Sequence, residues 1–291
     1  MRICHLDIDK RIVQELEEEF GTIYNLLITP ENFKLFRASW QWGDDFEKIK
    51  IPYERKINPD EPLFGFRFDD PLKNFIVINR DGSYHHFTRF VLEQCIKNNP
   101  AKKIAYLHID AHKDLCDHAT YPFGGFVTRI FSELNVLVYI AASALSREQR
   151  SHEKQSKLKS KFHLIKLSED GKGFEVQDET KGRYVSGIDE DYVYVSTDLD
   201  VFSPKLFARK NWLADQNPDF TIEEYKGLFK KAIYGKKIIG IDFTGLKLHD
   251  NEEIKKDRKL LKINKDSISN LVNLIRFVDD PFHGDPRYIP F

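Results

Sequence analysis

The chain has 291 residues, 41% hydrophobic and 31% charged, with a formal net charge of −1. This is the composition of an ordinary soluble globular protein with ample material for a core. The near-neutral balance gives no sign of a nucleic-acid surface or a basic membrane-bound face, and no apolar run reaches the length of a membrane span.

Residues 2–8 read as a first strand and Arg11–Phe20 as an amphipathic helix. His5, Asp7 and Asp9 alternate there, but Asp9 stands just before the helix and reads as its cap. Residues 30–70 are irregular and aromatic, with Trp40, Trp42, Tyr53, Phe64, Phe66 and Phe68, and are broken by prolines. They read as a long loop packed on the domain, or as a lid over substrate. Phe75–Asn79 is a continuous apolar run, expected as a buried parallel strand. The turn Arg80–Ser83 follows, then a helix over His86–Asn98 with Phe87, Phe90, Val91, Gln94 and Cys95 at helical spacing.

The next strand begins at Ile104. Phe126–Leu134 reads as a helix, Val136–Ala141 as a strand, Ser146–Ser160 as an exposed helix and Phe162–Leu167 as a strand. Residues 168–190 read as a surface hairpin or loop. Then come the strand Tyr192–Ser196, a helix over 221–234, the buried strand Lys237–Phe243 and a final helix over Ser267–Phe277. Strands alternating with helices predict a three-layer α/β/α fold with a mainly parallel sheet. No linker divides the chain, so residues 1–291 are expected as one domain. Cys4, Cys95 and Cys116 are widely spaced, which argues against a disulfide framework or a thiolate zinc site. The start Met1–Asp7 turns polar too soon for a signal peptide, so a reducing cytosol is the expected location.

Two strand ends carry the chemistry. The apolar stretch Ile104–Leu107 leads into His108-Ile109-Asp110-Ala111-His112-Lys113-Asp114. Strand alternation would point Asp110, His112 and Asp114 the same way as the strand ends. Crowded carboxylates repel and lose hydration, and a divalent cation offsets that cost. Tyr192–Ser196 leads into Thr197-Asp198-Leu199-Asp200-Val201-Phe202-Ser203-Pro204, where Asp198 and Asp200 would share a face. Open α/β sheets place their sites at the carboxyl ends of strands. The turn Tyr84-His85-His86 supplies a histidine, with His85 preferred as the first of the turn and His86 the other candidate. His85, Asp110, His112, Asp114, Asp198 and Asp200 then make six ligands, whose four carboxylates balance two divalent cations. Mn²⁺ is the first candidate, with Fe²⁺, Co²⁺ and Zn²⁺ also suited.

Asp110-Ala111-His112-Lys113-Asp114 resembles the DAHxD motif of the ureohydrolases, the arginase and agmatinase superfamily, and Ser196–Pro204 resembles their SxDxDxxDP motif. Ile239-Gly240-Ile241-Asp242 resembles their later GxD strand. The resemblance implies an arginase/deacetylase-like fold and a water activated between two metals to attack a guanidinium or amide carbon. It implies that Asp110 and Asp198 bridge the metals. His85 and Asp114 would complete one ion, and His112 and Asp200 the other. Asp114 would also orient the nucleophile, and His118 is a candidate proton shuttle.

There are departures from the family pattern. Asn79–His86 stands where the family has GGDHS, and Ser203 replaces the Asp of Asp-Pro. Arginases carry a glutamate shortly after the GxD aspartate to hold the guanidinium, whereas Phe243-Thr244-Gly245-Leu246 has no acid. The pattern looks more like the divergent branch that includes peptide arginases, which convert arginine within a peptide to ornithine. The expected substrate is a small molecule or a peptide larger than free arginine. The alternatives are a deacetylase-like amidohydrolase of the same fold and a non-catalytic metal-binding or interaction protein. The sequence leaves the oligomeric state open.

Overall fold

A computed structural model of the chain describes residues 2–6, 8–25, 75–79, 82–98, 102–115, 125–134, 136–142, 163–167, 174–178, 183–185, 188–208 and 220–283. The strands are β1 (Arg2–Leu6), β2 (Tyr24–Asn25), β3 (Phe75–Asn79), β4 (Ile104–Asp110), β5 (Leu137–Ala142), β6 (His163–Leu167), β7 (Phe174–Asp178), β8 (Arg183–Val185), β9 (Tyr192–Asp198) and β10 (Lys237–Thr244). The helices are α1 (Lys10–Phe20), α2 (Thr88–Asn98), α3 (Phe126–Leu134), α4 (Ile222–Ile233), α5 (Asn251–Lys256) and α6 (Lys259–Asp279). Short 3₁₀ turns at Gly82–Phe87 and Leu199–Val201 follow β3 and β9.

All ten described strands join one sheet in the order β2-β1-β3-β10-β9-β4-β5-β6-β7-β8. Every pairing from β2 across to β6 is parallel. The β6-β7 and β7-β8 pairs are antiparallel, and β7 and β8 lie within the segment 168–190 expected as a hairpin or loop. The mainly parallel α/β architecture is met.

Strand periodicity divides the core into two layers. Ile3, Ile76, Ile78, Leu107, Ile109, Val193, Val195 and Ile241 pack on one side with Ile12 and Leu16 of α1, Tyr225 and Phe229 of α4, and Leu271 and Leu274 of α6. Their neighbours Cys4, Val77, Tyr106, Val138, Ile140 and Tyr194 face the other side, with Val91 and Leu92 of α2 and Phe126 and Val127 of α3. A bulge in β10 between Ile238 and Gly240 adds one residue, so Ile239 is left over and the faces exchange there. Asp242 therefore pairs with Ser196 and shares its face. Gly240 suits that place because a Cβ would press on the rings of Phe75 and Tyr194.

The helices depart from expectation at their ends. The 3₁₀ turn starts at Gly82, ahead of the expected helix start at His86, and the α-helix proper starts at Thr88. α6 begins at Lys259, well before Ser267. Its first turns are charged and exposed, so only the later stripe of Leu271, Leu274, Ile275 and Val278 carried a hydrophobic signal. α5 buries nothing and rests on a capping box between Asp250 and Glu253. Asp9 caps α1 as expected, accepting the Arg11 backbone N–H at 2.9 Å. No described helix is long and apolar enough to cross a membrane. Residues 30–70, the expected helix Ser146–Ser160, Cys116 and His118 lie outside the described residues.

Candidate metal centre

The central strands β3, β10, β9 and β4 lie side by side, and the face toward α2 and α3 changes character along them. It is aromatic at Tyr106 and Tyr194, which stack with centroids 6.3 Å apart. One row further on it is polar, where Asp242 pairs with Ser196 and Ser196 with His108. The last row has Thr244 beside Asp198, with Asp110 ending β4. All six of these polar residues are buried.

The two motifs converge by turning, not by alternation. β4 stops at Asp110, whose Oδ1 accepts the His112 backbone N–H at 2.7 Å. The chain then bends, and Asp114 adopts φ 48°. This left-handed conformation is uncommon for a side chain larger than glycine, although aspartate tolerates it, and it returns the carboxylate to the site. β9 stops at Asp198, whose Oδ1 accepts the Asp200 N–H at 2.9 Å and caps the following 3₁₀ turn. Asp198 and Asp200 thus meet through a turn, because a capping carboxylate folds the next two residues back over itself. Asp200 Oδ1 accepts the Ala111 N–H at 3.1 Å, tying the second motif to the first.

His85 is buried at the head of this cluster, carried by the 3₁₀ turn after β3. The Ser196 hydroxyl donates to Asp242 Oδ1 at 2.8 Å. Its proton being committed, Ser196 accepts from His85 Nε2, also at 2.8 Å. His85 Nδ1 is then a bare lone pair. It lies 3.1 Å from Asp110 Oδ2, 3.5 Å from Asp198 Oδ2 and 3.6 Å from Asp114 Oδ2, without a hydrogen-bond partner. Tyr194 also donates to Asp242, at 2.8 Å. His86 is buried as well, but its ring lies against Phe87 at 4.8 Å.

A second donor set stands at the solvent side. His112 Nδ1 lies 3.2 Å from Asp110 Oδ1 and 3.0 Å from Asp200 Oδ2. Asp110 therefore offers one oxygen to each set. Burial first, then the charge of Asp200, pushes the Asp110 carboxyl up to about 7. Burial likewise holds Asp114 and Asp198 well above the usual carboxylate range. For His112 burial pulls down, but hydrogen bonds to Asp110 and Asp200 prevail and raise it to about 12. For Asp200 burial pulls up, yet the bond to His112 prevails and holds it at about 2. The imidazolium proton of His112 stands where a cation would serve both carboxylates. Burial first, with the charge of neighbouring imidazoles behind it, lowers His85 and sends His108 well below the usual histidine range. Buried oxygens and bare imidazole nitrogens facing each other fit hard or borderline divalent cations.

Residues 84–208 match the Arginase family. That stretch holds His85, Asp110, His112, Asp114, Asp198 and Asp200, and ends before β10. The ureohydrolase resemblance read from the motifs is thereby shown. Formimidoylglutamase from Bacillus subtilis is similar in structure, with a TM-score of 0.52, 12% identity, and coverage of 93% of this chain and 87% of that one. The T. brucei arginase-like protein in an oxidized form gives 0.50, 14%, 92% and 86%. A double mutant of that T. brucei protein gives 0.43 at 20% identity, and there the match spans 67% of this chain and 59% of that one. No curated protein sequence matches the chain significantly.

Within the arginase fold, two residues that motif reading passed over shape the centre. Gly245 has φ +97°, and a Cβ there would overlap Asp198 Oδ1. It lies in the acid-free stretch after Asp242, so this backbone has no room for a side chain at that position. His108 lies within the first motif, outside the six expected ligands. Its place two residues before Asp110 on the same strand was the available signal.

Proposed function

We propose that the protein is a binuclear metal-dependent hydrolase of a guanidinium or amide C–N bond, acting on a substrate larger than free arginine. The observation that carries this reading is the buried His85 Nδ1, without a hydrogen-bond partner, set against the carboxyl oxygens of Asp110, Asp114 and Asp198. The Arginase family match over the same residues supports it. Asp110 and Asp198 would be shared between two cations, with His85 and Asp114 completing one and His112 and Asp200 the other. Mn²⁺ suits the carboxylate-rich set. Bound cations supply Lewis acidity and lower the pKa of water toward neutrality.

The chain's own residues supply the rest. Ser196 and Asp242 fix the tautomer and ring orientation of His85. Asp114 accepts a hydrogen bond from the attacking water and orients it. The crowded backbone at Gly245 supports a substrate held by contacts outside the centre, and remote contacts of this kind raise rate by positioning the reacting group. The segment 30–70 is the proposed cover for an extended peptide, and peptidyl arginine the proposed substrate, giving ornithine and urea. The same missing acid favours, as a second reading, an amide substrate.

The test is to incubate Mn²⁺-loaded protein with free arginine, agmatine, arginine-containing peptides and acetyl-lysine peptides, measuring urea and acetate. Urea from peptides alone is expected. Fast turnover of free arginine would overturn the substrate argument. Acetate without urea would establish the amidohydrolase reading. No product with two metals bound would leave metal binding without catalysis.

A further inference from the structure

One imidazole of the site belongs to neither donor set described above. His108 precedes Asp110 by two residues on β4, so Tyr106, His108 and Asp110 share a face. It is fully buried. Its ring stacks on His85 with centroids 5.1 Å apart, and Phe126 closes it edge-on at 5.7 Å. Nδ1 lies 3.1 Å from the Tyr106 hydroxyl. Nε2 has no hydrogen-bond partner, yet it lies 3.4 Å from Asp110 Oδ2 and 3.9 Å from Asp114 Oδ2.

Histidines buried for structural reasons satisfy their ring nitrogens. Here two stacked imidazoles, His85 through Nδ1 and His108 through Nε2, aim unpartnered nitrogens at the same oxygen of Asp110. Donor atoms of these three residues all lie within 4.8 Å of one another. The Tyr106 hydroxyl is placed to accept Nδ1–H, which leaves the lone pair on Nε2. An outer partner of this kind is what fixes the tautomer of metal-binding histidines.

We propose that His108 is a further protein ligand, placing a second imidazole on the ion held by His85, Asp110 and Asp114. This rests on the binuclear reading above and adds to it a metal preference. A second nitrogen donor moves that position away from Mn²⁺ and toward Zn²⁺, Co²⁺ or Fe²⁺, while the position at His112 and Asp200 stays carboxylate-rich. The two positions are therefore unequal.

The test uses the full chain labelled with ¹⁵N-histidine and titrated with Zn²⁺. Three imidazoles, one of them His108, should take metal-bound ¹⁵N shifts. His108→Gln should remove one of the three and weaken one of the two Zn²⁺ affinities about ten-fold or more in chelator competition. If His108→Gln does not fold, the wild-type count still decides, with His108 assigned through its backbone coupling. Two shifted imidazoles with His108 unchanged would overturn the inference and leave the binuclear reading standing. No shifted imidazole at all would overturn both.

Discussion

Gly245 and the Asp198 carboxylate compete for one space. With φ +97° at the end of β10, Gly245 brings bare backbone against Asp198, and a Cβ there would overlap Oδ1 and stand 3.2 Å from the Leu199 nitrogen. Gly245→Ala must therefore displace the carboxylate or the strand end. Expected is a loss of about 1–3 kcal/mol of stability, with weaker metal binding. Thermal unfolding and chelator competition would measure it. A variant with both unchanged would show that Asp198 does not need its present position.

Asp198 is buried and caps the turn that carries Asp200. Asp198→Ala should cut bound metal from two equivalents to one or none by elemental analysis. Ser203 lies in the same motif, where its hydroxyl accepts the exposed Lys205 N–H at 3.4 Å. Ser203→Ala should keep both metals and change stability by no more than about 0.5 kcal/mol. Equal metal loss in the two variants would contradict the reading of the motif.

Asp114→Asn separates charge from shape. Asparagine tolerates the φ of 48° and keeps one acceptor oxygen, but removes an ionisable group whose burial beside Asp110 opposes its ionisation. The metal-free protein should melt at a higher temperature than wild type, while metal affinity falls about ten-fold or more. The opposite signs are the diagnostic result. A lower melting temperature without metal would show that Asp114 stabilises the fold by itself.

Asp242 sets a pH dependence. Burial pushes its carboxyl up to about 6, against the lowering effects of His85 and of hydrogen bonds from Ser196 and Tyr194. An unfolded aspartate titrates near about 3.9. The folded state therefore binds this proton more tightly, and its contribution to stability is full below about pH 4. It declines as pH rises to about 6, by about 1.4 kcal/mol per pH unit, and is constant above. In chelator-treated protein, denaturant titrations should show a shallower decline for Asp242→Asn across that window. Equal slopes would rule out Asp242 as the titrating group.

Asp110 and Asp198 were legible in the sequence because each ends an apolar strand, where period-two patterning is strong. His112, Asp114 and Asp200 lie beside Asp110 and Asp198, but not for the reason the sequence offers. Alternation was expected to aim them, whereas carboxylate-capped turns do so. The geometry that favours His85 over His86 includes the hydroxyl of Ser196, from a strand far along the chain. Gly245 was read for the acid it lacks. Its fit against Asp198 depends on the β10 bulge and the β9–β10 register, neither of which has a local sequence signature. Asn79 donating to Thr244 at 3.1 Å joins positions 165 residues apart and is equally invisible to local patterning.

β3 and β4 are consecutive in the chain up to this point but stand apart in the sheet, with β10 and β9 between them. A chain emerging from its amino terminus presents His85 and Asp110 long before the two strands that bring them together. Until residues 192–244 arrive, the facing edges of β3 and β4 have no partners and the oxygens of Asp198 are absent. The last two described strands in chain order, β9 and β10, occupy the middle of the sheet. Capture of a cation by this cluster would then be a late event in biogenesis, registering that the centre of the sheet has been filled.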